Sequence, residues 1–133
     1  MPRKIAIALL AIAAFAVFSL ATGATYLEAV LPGGLPFGNA LTALGLCAAA
    51  GTALGLSARG TVRRAVSLIA LTAAAAWLPV SVALAGNLAL NFSNGRGFTW
   101  MVLCFAVVGI VLGALIWTLA MTLLAVRRRT GAA

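Results

Sequence analysis

Four long apolar runs, separated by short stretches of turn-forming and polar residues, account for nearly the whole chain. The first extends from Ile5 to about Leu27 and the second from about Gly38 to Ala58. The third extends from Ala65 to about Gly86 and the fourth from Phe98 to Val126. A helix needs about 20 mostly apolar residues to cross a hydrocarbon core about 30 Å thick, and each run reaches that length. The runs are continuous and do not alternate every second residue, so they predict helices and not barrel strands. The fourth holds 29 residues. At 1.5 Å per residue it is longer than the core is thick, so it should tilt or project beyond the membrane.

The connections are built from residues that break helices. Pro32, Gly33, Gly34 and Pro36 lie between the first two runs, where they favour turns. Residues 59–64, Arg-Gly-Thr-Val-Arg-Arg, make a short polar hairpin. Asn87, Asn91, Ser93, Asn94 and Gly95 separate the last two runs, again with loop chemistry. The expected fold is therefore a single all-α domain, residues 1–133: an integral membrane bundle of four transmembrane helices, up-down-up-down, with both termini inside.

Composition strengthens this picture. Of 133 residues, 65% are hydrophobic and 8% charged, with a mean hydropathy of +1.20. Ordinary soluble domains are about 45–50% apolar and about 25% charged, so lipid must act as solvent for much of this surface. The net charge of +8 would suit nucleic acid only if the basic side chains shared one water-facing surface. They sit instead in clusters at the ends of apolar runs, and no nucleic-acid partner is expected.

The placement of positive charge supplies the orientation. Arg3, Lys4, Arg59, Arg63, Arg64, Arg127, Arg128 and Arg129 all fall on one side of the expected bundle, while Arg96 alone falls on the other. Because basic residues near span ends stay cytoplasmic, eight against one sets the N- and C-termini inside. The excess of Arg over Lys and the many Ala and Gly residues match a GC-rich bacterial genome, so the expected location is a bacterial inner membrane. A cleaved signal peptide over residues 1–24 is the rival reading of the first run. Its apolar stretch of about 18 residues exceeds the usual 7–15, and cleavage would leave three spans with unchanged orientation.

Helices associate in lipid by close backbone approach more than by the hydrophobic effect. The second run offers Ala43, Cys47, Gly51 and Gly55 at four-residue spacing, and the fourth offers Gly109 and Gly113. These are the expected packing faces, either within the chain or toward a partner. Counting from the inner loop places Trp77 at the depth of Cys47, and its indole is expected to fill the notch above Gly51. Trp117 is expected to pack inside as well, and Tyr26 and Trp100 to mark the outer interface. Pro79 lacks an N–H and crowds the carbonyl of Ala75, so a kink is expected.

The chemistry of the chain is sparse. It has no His, Asp or Gln, and Glu28 is its sole acid. Acid–base and nucleophilic catalysis both need a titratable group beside the reacting atoms, and metal or haem sites lack their commonest ligand. No catalytic, metal or cofactor site is expected, and no enzymatic activity. Cys47 and Cys104 lie inside apolar runs and are expected to be free and packed. The hydroxyls of the spans are expected to bond back to their own helices. Glu28, at the outer end of the first span, should pair with Arg96, and with Pro79 and Trp77 these are the candidate functional residues. The expected role is association, as an accessory subunit or assembly factor of a larger membrane complex, with lipid and other membrane subunits or a second copy as partners. A small oligomeric transporter or channel component using Glu28 is the first alternative. A protein that engages anionic lipid through its basic rim is the second.

Overall fold

The computed structural model describes residues 3–131 of the chain. It contains four long helices, α1 (Arg3–Thr22), α2 (Phe37–Leu56), α3 (Val62–Ala85) and α4 (Arg96–Thr130), with one 3-10 turn, Thr25–Glu28, after the first. Each long helix is long and apolar enough to cross a membrane. The outermost residues of the expected domain, 1–2 and 132–133, and the side chain of Arg3 lie outside the described residues.

Helix ends differ from the hydropathy boundaries for local reasons. The first helix stops at Thr22 and not near Leu27, because Gly23 takes φ +62°, a left-handed conformation that glycine adopts without steric cost. The apolar pattern continued past it into Tyr26 and Leu27, which form the separate 3-10 turn. The third helix begins three residues earlier than expected. Thr61 caps it, its hydroxyl accepting from the Arg64 backbone N–H at 3.2 Å, so Arg63 and Arg64 belong to the first turn of α3. The fourth runs on to Thr130 through the arginines. Arg127, Arg128 and Arg129 sit in its last turn, where cations favour the negative end of the helix dipole. The third helix is continuous through Pro79.

Two interhelical hydrogen bonds set the register of α3 and α4. Trp77 Nε1 donates to Cys104 Sγ at 3.3 Å, and Trp100 Nε1 donates to Ser81 Oγ at 3.0 Å. As α3 advances from Trp77 to Ser81, α4 retreats from Cys104 to Trp100, so the two run antiparallel. Their buried positions repeat every three or four residues, Ser67, Ala70, Ala74, Trp77 and Ser81 on α3 and Val107, Val111, Ala114 and Thr118 on α4. This is the seam that keeps one face of each helix toward its neighbour. The second helix closes the core, burying Ala48, Ala49, Ala50 and Ala53 against both.

The first helix is attached differently. It packs extensively on α2 and has no comparable contact with α3 or α4. Its buried residues are all small: Ala6, Ala13, Ala16 and Ser19. The closest approach is at Gly45, where an added Cβ would lie 2.7 Å from the Ala16 Cβ. Only a glycine permits that spacing. The molecule is thus a compact α2–α3–α4 core with α1 laid along one side of α2.

Candidate functional site

Two outward surfaces result from this arrangement. One is a groove of about 680 Å³ over α2, walled by α1 on one side and α4 on the other. Ala14 and Val17 stand on the α1 wall, Gly45 and Ala49 on the floor, and Val108 and Leu112 on the α4 wall. Thr42 is the one hydroxyl among the described lining residues, and it is already committed to the Gly38 carbonyl at 2.8 Å. The groove exists because α1 packs chiefly on α2, leaving the gap toward α4 unfilled.

The other surface is the back of α4. Gly109 and Gly113 are both exposed, and a Cβ at either would meet nothing within 4 Å. The cause is angular: each is two residues from Val111, about 200° around the helix, so both point away from the core seam. Beside them stand Phe105 and Ile116, 74% and 64% exposed. Of the two expected glycine-bearing packing faces, that of α2 is used inside the chain and that of α4 is not.

The expected partners change accordingly. Gly51 faces α1, where a Cβ would meet Leu9 Cδ1 at 3.2 Å. The Trp77 indole does not fill this notch; α3 turns it toward α4, and it is held there by Cys104. Ala43 and Cys47 pack against the core, and Gly55 is half-buried. Trp117 does not pack inside: it is 44% exposed on the outer side of α4, three residues from the seam at Ala114. Gly45, the tightest point in the molecule, lies on a second small-residue series with Ala49 and Ala53, two positions out of step with the one expected to pack.

Glu28 lies exposed in the 3-10 turn and not on the last turn of α1. No ion pair joins it to Arg96 among the described residues. The Arg96 guanidinium reaches instead to the Leu84 carbonyl at 3.4 Å, across the end of α3. Pro79 is exposed on α3. The structure therefore places Glu28, Arg96 and Pro79 on the surface and Trp77 in the core.

The hydroxyls mostly behave as expected. Thr22, Thr42, Thr52, Ser67, Thr72 and Thr122 each donate to a carbonyl of their own helix one turn back. Both cysteines are free and half-buried. Thr118 departs from the pattern: it is fully buried, and its Oγ1 has no hydrogen-bond partner among the described residues. Extending the α3–α4 register by fourteen residues puts it level with Arg63, whose Nε is likewise enclosed and unpartnered. An unsatisfied buried hydroxyl costs desolvation without return. Thr118→Val, which keeps the shape and removes the hydroxyl, is expected to raise the unfolding free energy by about 0.5–1 kcal/mol, a small gain because the lipid-inserted unfolded state also finds partners. A thermal-shift assay in detergent checks this; a fall in stability would mean that Thr118 and Arg63 pair.

These features define a class: an all-helical chain with four helices of membrane-spanning length and apolarity, with outward surfaces made of small and aliphatic side chains. No family model, curated protein or solved structure matches it.

Proposed function

We propose that this chain is an integral membrane protein of a bacterial inner membrane, with four spanning helices in up-down-up-down order and both termini cytoplasmic. It works by association, as an accessory subunit or assembly factor of a larger membrane complex, and carries no catalysis of its own. The eight-to-one division of basic residues supports the orientation. The observation that carries the role is the back of α4, a thin glycine face left unused by the chain's own packing. Small faces of this kind let a neighbouring helix approach closely in lipid.

The test is recovery of partner subunits in a mild-detergent affinity purification from the native membrane. Gly113→Leu is expected to lower stoichiometric recovery about tenfold, equivalent to about 1.4 kcal/mol. Thermal stability of the isolated chain should stay unchanged, since the new side chain enters open space. Recovery of the wild type as a lone monomer, or full partner recovery by the variant, would overturn the reading.

A further inference from the structure

We propose that the overhanging end of α4 binds one anionic phospholipid, its phosphate held by Arg128 and Arg129 and a tail laid along Met121, Leu124 and Ala125. The site rests on the membrane embedding proposed above and uses a different part of α4 from the glycine face.

The overhang arises because α3 is shorter than α4. Trp77 lies level with Cys104 and Ser81 with Trp100, and the same register puts Val62, the first residue of α3, level with Leu119. From Met121 to Thr130, about 15 Å at 1.5 Å per residue, α4 continues without α3 beside it. The side that α3 would have covered there is a shallow hollow lined by Met121, Leu124, Ala125, Arg128 and Arg129. Met121, Ala125 and Arg128 continue the three- and four-residue spacing of the buried seam at Val107, Val111, Ala114 and Thr118. The hollow is thus the line of the seam, left without a neighbour.

Hydrocarbon suits this overhang better than a helix of another protein. Met121, Leu123, Leu124 and Val126 are all exposed, and at about 100° per residue they point to opposite sides of the helix. A partner helix would cover one side and leave the others in water, whereas a helix that is apolar all round is matched by lipid. The arginines that end it then lie at the phosphate layer, where basic residues flank spans.

Charge selects the headgroup. Arg128 and Arg129 close the apolar row, and the planar fork of a guanidinium matches a phosphate. The sole acidic side chain of the protein, Glu28, belongs to the turn after α1, at the opposite end of the bundle. No side chain of the protein therefore neutralises them. A zwitterionic headgroup brings its own cation to the same place, and an anionic one does not. Arg127 points about 130° away from the middle of the hollow and does not line it.

The experiment is native mass spectrometry of the intact chain in a neutral detergent, titrated separately with palmitoyl-oleoyl phosphatidylglycerol and phosphatidylcholine. One lipid per chain is expected, the anionic one retained about tenfold better. A neutral micelle has no surface potential, so only direct contact registers. Arg128→Gln and Arg129→Gln should each lower phosphatidylglycerol retention about fivefold, the effect of one neutralised charge, and leave phosphatidylcholine unchanged. Arg127→Gln removes the same charge at nearly the same depth and should stay within about twofold of the wild type. Each variant keeps two arginines at this end and alters only an exposed side chain, so folding and orientation are retained. Equal retention of the two lipids would overturn the site. Equal losses in all three variants would overturn it too, showing a diffuse basic rim. A photoreactive residue at Leu124, activated in the native membrane, should cross-link to lipid, and cross-linking to a polypeptide alone would refute the lipid occupant. Recovery of the wild-type chain in the soluble fraction would overturn the embedding itself, and the site with it.

Discussion

Trp77→Ala is expected to destabilise the isolated chain by about 3 kcal/mol, which corresponds to a fall of roughly 10 °C in thermal midpoint for a domain of this size. Trp77 is the largest buried side chain of the core, 4% exposed at the centre of the α3 seam. Truncating a buried Trp costs about 3–5 kcal/mol in water-soluble cores. The lower end applies here because lipid tails are as apolar as the protein interior, which removes the transfer contribution between helices and leaves dispersion and cavity formation. Trp77→Phe separates packing from the hydrogen bond to Cys104, and its cost should be nearer 1 kcal/mol. A double-mutant cycle of Trp77→Phe with Cys104→Ala should return a coupling of about 0.6 kcal/mol, the mean for interhelical hydrogen bonds in a bilayer. Thermal unfolding followed by circular dichroism measures all four. A midpoint unchanged in Trp77→Ala would mean that the indole does not occupy the core.

The second large effect belongs to Gly45. Even alanine there brings two methyl groups to 2.7 Å, and the helices must part by about an ångström to relieve it. Overpacking of this kind costs about 1–3 kcal/mol. Gly45→Leu has no room at all and is expected to lift α1 from α2, exposing α1 to protease and a cysteine introduced on its inner face to a thiol-reactive reagent. The α2–α3–α4 core should survive, because α1 supplies only Ala13 to the buried core cluster. Gly113→Leu makes the matched control, a glycine changed identically on another helix with no loss of stability. If the two variants had the same thermal midpoint, the assignment of inner and outer faces would be wrong.

How these two glycines differ was not legible in the sequence. Four helices were, because 18 or more apolar residues in succession leave no alternative that satisfies the backbone in lipid. Their ends were legible only to within a few residues. Hydropathy does not register a left-handed Gly23 or a Thr61 cap, both of which are decided by backbone geometry and one hydrogen bond. Rotation about each helix axis was the information lost. On α4, Gly113 and Ala114 are adjacent and both small, and nothing in composition says which faces the core. On α2, residues from Cys47 to Ala53 are all small, so every face looks like a packing face. The distinction comes from where Trp77, Leu9 and Ala16 arrive from other helices. The same uncertainty misplaced Trp77 over Gly51 and Trp117 in the interior. The pairing of Glu28 with Arg96 failed for a simpler reason. Gly23 ends α1 early, and the acid moves onto a separate turn.

The order of packing along the chain has a consequence for how the protein is made. The three most extensive packings all join helices that are consecutive in the chain, α1 with α2, α2 with α3 and α3 with α4. Contacts between sequential elements close quickly, so no helix has to wait long in the bilayer for its partner. The exception is the contact of α2 with α4, which encloses Ala48, Val107 and Val111 and needs the last helix in place. Until α4 leaves the ribosome, α2 has α1 and α3 in place and one side still open. The alanine-rich centre of α2 is then a waiting surface, available to whatever membrane helix passes first. Synthesis through α4 before release into the bilayer would keep that surface for its own chain.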